Sequence, residues 1–186
     1  MVATSPEAVN EAANEAVKAP PVAPSIKRRV ASLAYESMLL LALLFIAAFP
    51  VAGLKGAALS GAPHFIFQAY LLCVTAAYFT WFWRHGGQTL AMKTWAFRVV
   101  NIDGSNLNFA RALSRFFVAL LFYGPACAGL VLLFFPDRVS RVITMWAFLP
   151  MAATMLWARF DVDRQFLHDR IAGTRLVDAK LARKIA

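Results

Sequence analysis

Apolar residues in this chain run in unbroken blocks and do not alternate with polar ones. A helix needs roughly 20 apolar residues to cross about 30 Å of hydrocarbon, and four blocks qualify: residues 30–50, 64–83, 116–135 and 142–158. The first carries one acid, Glu36, near its start and Pro50 near its end, so its spanning part is expected to stop around Phe49. The second and third carry no charge after His64. The fourth, VITMWAFLPMAATMLWA, is short and holds Pro150, but it still spans if little tilted. Trp81, Trp83, Trp146 and Trp157 lie at or near block ends, where amphipathic rings prefer the interface. Residues 1–24, rich in Ala, Glu and Pro and without an apolar period, read as a disordered cytoplasmic tail. Residues 25–178 form the transmembrane domain, and 179–186 form a basic C-terminal tail. A signal peptide starting at Lys27–Arg29 would need an apolar run of about 7–15 residues; the observed run is longer, which favours an uncleaved helix.

Two pieces between the blocks share one order of parts. After the second block, Gly86 and Gly87 break the helix, Gln88–Ala96 is mixed, Phe97–Ile102 is β-prone and Asp103-Gly104 signals a turn. After the fourth, Gln165–Ile171 reads as helix, Gly173 as its stop and Thr174–Val177 as β-prone. At an offset of 77, Gln88 meets Gln165, Leu90 meets Leu167, Lys93 meets Arg170, Arg98 meets Arg175, Val100 meets Val177 and Asn101 meets Asp178. That suggests two units, each made of two spans, an interfacial helix and a short strand, in the same orientation. The alternative is that any interfacial segment following a span looks alike. A lone strand cannot leave its backbone unpaired where water is scarce, so Arg98–Ile102 should pair with Thr174–Asp178. The expected fold is all-α and integral to the membrane: four transmembrane helices, cytoplasmic interfacial helices and a small two-stranded β pairing.

Composition agrees, with 60% apolar and 16% charged residues against about 45–50% and 25% in soluble domains. The net charge of +9 is distributed by topology. With a cytoplasmic N-terminus, sixteen of the nineteen Lys and Arg lie inside and only Lys55, Arg138 and Arg141 outside, which places both termini in the cytoplasm. The cations flank apolar spans, so anionic lipid accounts for them better than nucleic acid does. Cys73 and Cys127 fall inside spans and read as small packing residues, and His64, His85 and His168 are scattered, so neither a metal site nor a cofactor is expected. Phosphate-loop, hydrolase-elbow, zinc-protease and dinucleotide motifs do not occur, which argues against an enzyme.

Chemistry then concentrates on charges at membrane depth. Glu36 lies about two helical turns after Arg29, roughly 10 Å along the axis, so its counter-charge should come from elsewhere, with Arg111 or Arg115 as candidates. Either Glu36 sits shallowly and reaches headgroup water, or it faces a polar pocket between helices and titrates there. Tyr35 and Ser37 flank it, and Ser32 one turn earlier is a candidate partner. Asp169, between His168 and Arg170, evokes either a proton relay or, more commonly, a cap or salt bridge at the membrane surface.

Three stretches carry a family resemblance: Arg28-Arg29 followed by an acid seven or eight residues on, GQTLAMKTWAFRVVNIDG, and RQFLHDRIAGT. In their order and spacing, over about residues 25–178, the chain resembles the RDD family of small polytopic membrane proteins, named for an arginine and two aspartates. The motif arginine falls on Arg28 or Arg29, the first aspartate position is occupied by Glu36, and the second falls on Asp169. The resemblance implies a multi-pass protein of the prokaryotic cytoplasmic membrane with a transport role; some members look like cation/proton antiporters, others like accessory or assembly factors. As a transporter, the chain would bind protons or small cations at Glu36, with Arg28, Arg29 and Asp169 as further ion-site candidates, and four spans would call for a homo-oligomer. As a scaffold, it would use the same charges to lock its cytoplasmic platform.

Overall fold

The computed structural model describes residues 23–55, 64–133 and 141–179; most of the N-terminal tail and most of the C-terminal tail expected from the sequence lie outside them. The first span is α1 (Ile26–Lys55), the second α2 (His64–Arg84). A short helix, α3 (Leu90–Thr94), and a strand, β1 (Phe97–Asn101), follow. The second half repeats the order with α4 (Phe109–Leu132), α5 (Arg141–Trp146) continued by α6 (Leu149–Phe160), α7 (Leu167–Ile171) and β2 (Thr174–Asp178). Four stretches are long and apolar enough to cross a membrane: Ile26–Val51, Phe65–Arg84, Phe109–Leu132 and Arg141–Phe160.

Span boundaries shift where polar caps and prolines act. The first helix does not stop near Phe49: it passes through Pro50 to Lys55, the proline costing one backbone hydrogen bond that an apolar helix tolerates. The third starts at Phe109 and not at 116, because the Asn108 side chain accepts the Arg111 N–H and nucleates the helix there. The fourth is two helices with a turn at Ala147-Phe148, and Pro150 sits in the first turn of α6, where its missing N–H is harmless. Cys73 and Cys127 stand on exposed helix surfaces, not in the packed interior.

β1 and β2 pair antiparallel, Phe97 opposite Asp178 and Asn101 opposite Thr174, so the first strand's paired segment starts one residue before the expected Arg98–Ile102. The ribbon lies across one end of the bundle. Its inner residues Phe97, Val99 and Leu176 join Trp83 at the end of α2, Ala112 and Phe116 at the start of α4, Ala158 at the end of α6, and Phe166 in one buried cluster. Each full burial of such side chains contributes about 1.5–3 kcal/mol, so this platform is where the soluble-like core sits. Large apolar side chains along the spans, such as Leu41, Phe45 and Leu121, are exposed, as a lipid-facing surface requires.

The repeat extends to backbone geometry. Leu90–Thr94 and Leu167–Ile171, and Phe97–Asn101 and Thr174–Asp178, differ by the same 77 residues. So do the left-handed residues Gly87 and Arg164 (φ 72° and 51°), and Ala96 and Gly173 (52° and 65°). Arg28 donates to the Trp95 carbonyl and Arg111 to that of Ala172, again 77 residues apart, so each half closes its surface helix with an arginine from its own first span. The pair at the centre of the ribbon, Val99 opposite Leu176, is itself one of these equivalences, so a pseudo-two-fold axis passes through the ribbon.

Candidate functional site

Glu36 is buried between α1, α2 and the start of α3, and both carboxylate oxygens are held by hydroxyls. Tyr78 Oη donates to Oε1 at 2.7 Å, and Thr89 Oγ1 donates to Oε2. Thr89, fully buried, is also the N-cap of α3 and accepts the Met92 N–H at 3.3 Å. The carboxylate is therefore wired to the first turn of the surface helix. No counter-charge reaches it from the expected side, because Arg115 is committed to Asp169 and Thr174, and Arg111 to Ala172 O.

The two motif arginines do not approach Glu36. Arg28 fixes the platform: its guanidinium donates to the carbonyls of Trp95 and Ala96 and pairs with Asp178 at the end of β2. Arg29, 1% exposed, donates to Pro24 O at 2.9 Å and across to Arg164 O at 2.6 Å, with its guanidinium carbon 5.0 Å from the Phe166 ring centre. It ties the first half to the second.

Asp169 sits in a separate, fully buried network. Arg115 pairs with it and also donates to Thr174. His168 Nε2 is 3.3 Å from its carboxylate. The Thr154 hydroxyl accepts the His168 backbone N–H at 3.4 Å and lies 3.1 Å from Nδ1, so it engages both the backbone and the ring of His168. Burial is the largest influence and would raise the Asp169 pKa, but Arg115, with His168 and Arg29 adding to it, outweighs burial and holds the carboxyl below the usual range. Burial dominates at His168 and lowers it to about 4, so the ring is neutral at pH 7. This is an ion pair with a neutral imidazole beside it, and its geometry is that of a lock.

The structure thus divides the four site residues expected from sequence: Glu36 alone on its side, Arg28 on the ribbon, Arg29 and Asp169 in the second half's interior. Thr89, Tyr78 and Thr154 were not anticipated as partners, and Arg115, expected beside Glu36, pairs with Asp169 instead. A signal existed only for Thr89, a hydroxyl placed just before a short helix as an N-cap. No cluster of metal-ligating side chains occurs among the described residues.

Four membrane-length helices in two like halves, closed at one end by a ribbon and buried charges, define a small polytopic membrane protein. The family model described as RDD family matches residues 23–173, and the chain belongs to that family. No curated protein and no solved structure matches it.

Proposed function

We propose that this RDD-family membrane protein exchanges protons for small cations at Glu36, while Arg28, Arg29 and Asp169 hold the platform together. The observation that carries the reading is a buried carboxylate inside a span whose donors are neutral hydroxyls. A carboxylate with a fixed guanidinium has no reason to take up a proton; one held by Tyr78 and Thr89 can exchange a proton for a cation, with the two hydroxyl oxygens as additional ligands. Displacing either ion also disturbs the N-cap of α3, linking occupancy to the platform. The ion path of four spans is completed by a homo-oligomer in the prokaryotic cytoplasmic membrane, with both termini inside and anionic lipid against the basic flanks.

Purified protein in liposomes with an imposed pH gradient tests this. Wild type should move Na⁺ or K⁺ against protons, and Glu36→Gln should abolish that flux while remaining folded. Wild type that moves no cation, or a Glu36→Gln protein that transports normally, favours the second reading. That reading is a non-enzymatic scaffold or assembly factor, supported by Arg29 bridging the two halves and by the Arg115–Asp169 pair under the ribbon.

A further inference from the structure

The ribbon has two faces with different histories. On its inner face the two strands differ at every equivalent position: Phe97 against Thr174, Val99 against Leu176, Asn101 against Asp178. On the outer face they are identical: Arg98 and Arg175, Val100 and Val177. An interior that differs between the halves explains the first difference. Burial of Val100 and Val177, at 2% and 4% exposure, accounts for the repeated valine, and on this face only the half-buried arginines offer side-chain polar atoms. The register places Arg98 and Arg175 as diagonal neighbours about the pseudo-two-fold axis, with Cβ atoms about 7–8 Å apart. Two like charges so placed repel, and each has its Nε buried without a hydrogen-bond partner among the described residues. Nearby acids are engaged elsewhere: Asp178 with Arg28, Asp161 and Asp163 with Arg170, Asp103 with Ser105.

We propose that the outer face of the ribbon binds a small dianion with a negative group at each end, lying across the pseudo-two-fold axis so that Arg98 takes one group and Arg175 the other. Guanidinium forks suit phosphoryl or carboxylate oxygens. Two guanidiniums set diagonally suit one molecule charged at both ends better than separate headgroups of the surrounding bilayer. Diphosphate is the probe, titrated calorimetrically into full-length protein in nanodiscs of zwitterionic lipid. It should bind at least about tenfold more tightly than inorganic phosphate, since two forks act together. Arg98→Gln and Arg175→Gln should each weaken binding by about tenfold and to a similar extent, and the double variant should abolish it. Arg98→Lys and Arg175→Lys, which keep the charge and the fold, should also weaken it by losing the fork. Arg84→Gln with Lys93→Gln, exposed cations outside the two strands, should leave it unchanged. Equal affinity for phosphate and diphosphate, an effect of only one arginine, or an equal loss in the Arg84/Lys93 variant would each overturn the proposal. So would absence of diphosphate binding together with an Arg98/Arg175-dependent attachment to vesicles of anionic lipid, which would assign the face to headgroups.

Discussion

Gly87 is the residue at which backbone and ribbon meet most closely. Its φ is +72°, its carbonyl accepts the Val99 N–H at 2.7 Å, and a Cβ added there would stand 2.3 Å from the Val99 oxygen. Gly87→Ala should therefore destabilise the platform by about 3 kcal/mol, through left-handed strain plus displacement of β1, seen as a lower melting temperature in detergent. Ala96 shows the reverse. It adopts φ 52° with a Cβ, whereas its equivalent in the other half is Gly173 at 65°. Ala96→Gly should stabilise by about 1 kcal/mol in the same assay, since the strain of a non-glycine left-handed residue is removed. Gly173 was legible in the sequence as a helix stop. Thr89 was only half legible, since its capping role follows from its place before a helix, but its bond to Glu36 depends on how α1 and α3 face each other across 53 residues.

At the scale of elements, α7 is held by charge, and that has a pH signature. His168 has a folded-state pKa of about 4, below the ordinary 6.5, so the unfolded chain binds the extra proton first. Stability from keeping this ring neutral is complete above about pH 6.5 and is lost as pH falls towards 4, amounting to about 3 kcal/mol across that window. Asp169, held low by Arg115, acts in the same direction at still lower pH: its contribution is present above the ordinary carboxyl pKa and lost as pH falls through its depressed folded value. Melting temperature should thus drop between pH 6.5 and 4 in wild type, and His168→Gln should flatten that slope. Breaking the pair tests the lock separately. Arg115→Met leaves the fully buried Asp169 carboxylate uncompensated and should cost about 3–5 kcal/mol, much of it regained in the double variant with Asp169→Leu. The strands and both surface helices could be read from the 77-residue offset because turn residues and β-prone runs are local signals. The Arg115–Asp169 pair could not, because it joins two elements whose mutual rotation periodicity does not fix. Nor could the turn at Ala147-Phe148, inside a run whose hydropathy is continuous.

Taken as a whole molecule, the chain is two like halves with unlike interiors. Where the second half buries His168 and Asp169, the first has Ala91 and Met92, and where the first places Thr89 against Glu36, the second has Phe166. Each half therefore carries one acid-centred site of a different kind, one held by hydroxyls and one by a guanidinium, and Arg29 crosses from the first half to the second through the Arg164 carbonyl. Because both halves begin and end at the ribbon, an even number of crossings returns the chain to the same side each time, and the charge pattern then decides which side that is. Arg28, Arg29, Arg111, Arg115, Arg164, Arg170 and Arg175 all belong to the ribbon end or the elements that join it, while Arg141 starts α5 at the opposite end. The positive-inside rule accordingly predicts a ribbon on the cytoplasmic side. In a background with Cys73 and Cys127 replaced by alanine, Leu133→Cys at the far end of α4 should react with an impermeant maleimide on intact cells. Ala179→Cys, just past β2, should react only after the cells are opened. Labelling of Ala179→Cys alone on intact cells would invert the molecule, and labelling of both would mean that one of the four apolar stretches does not cross.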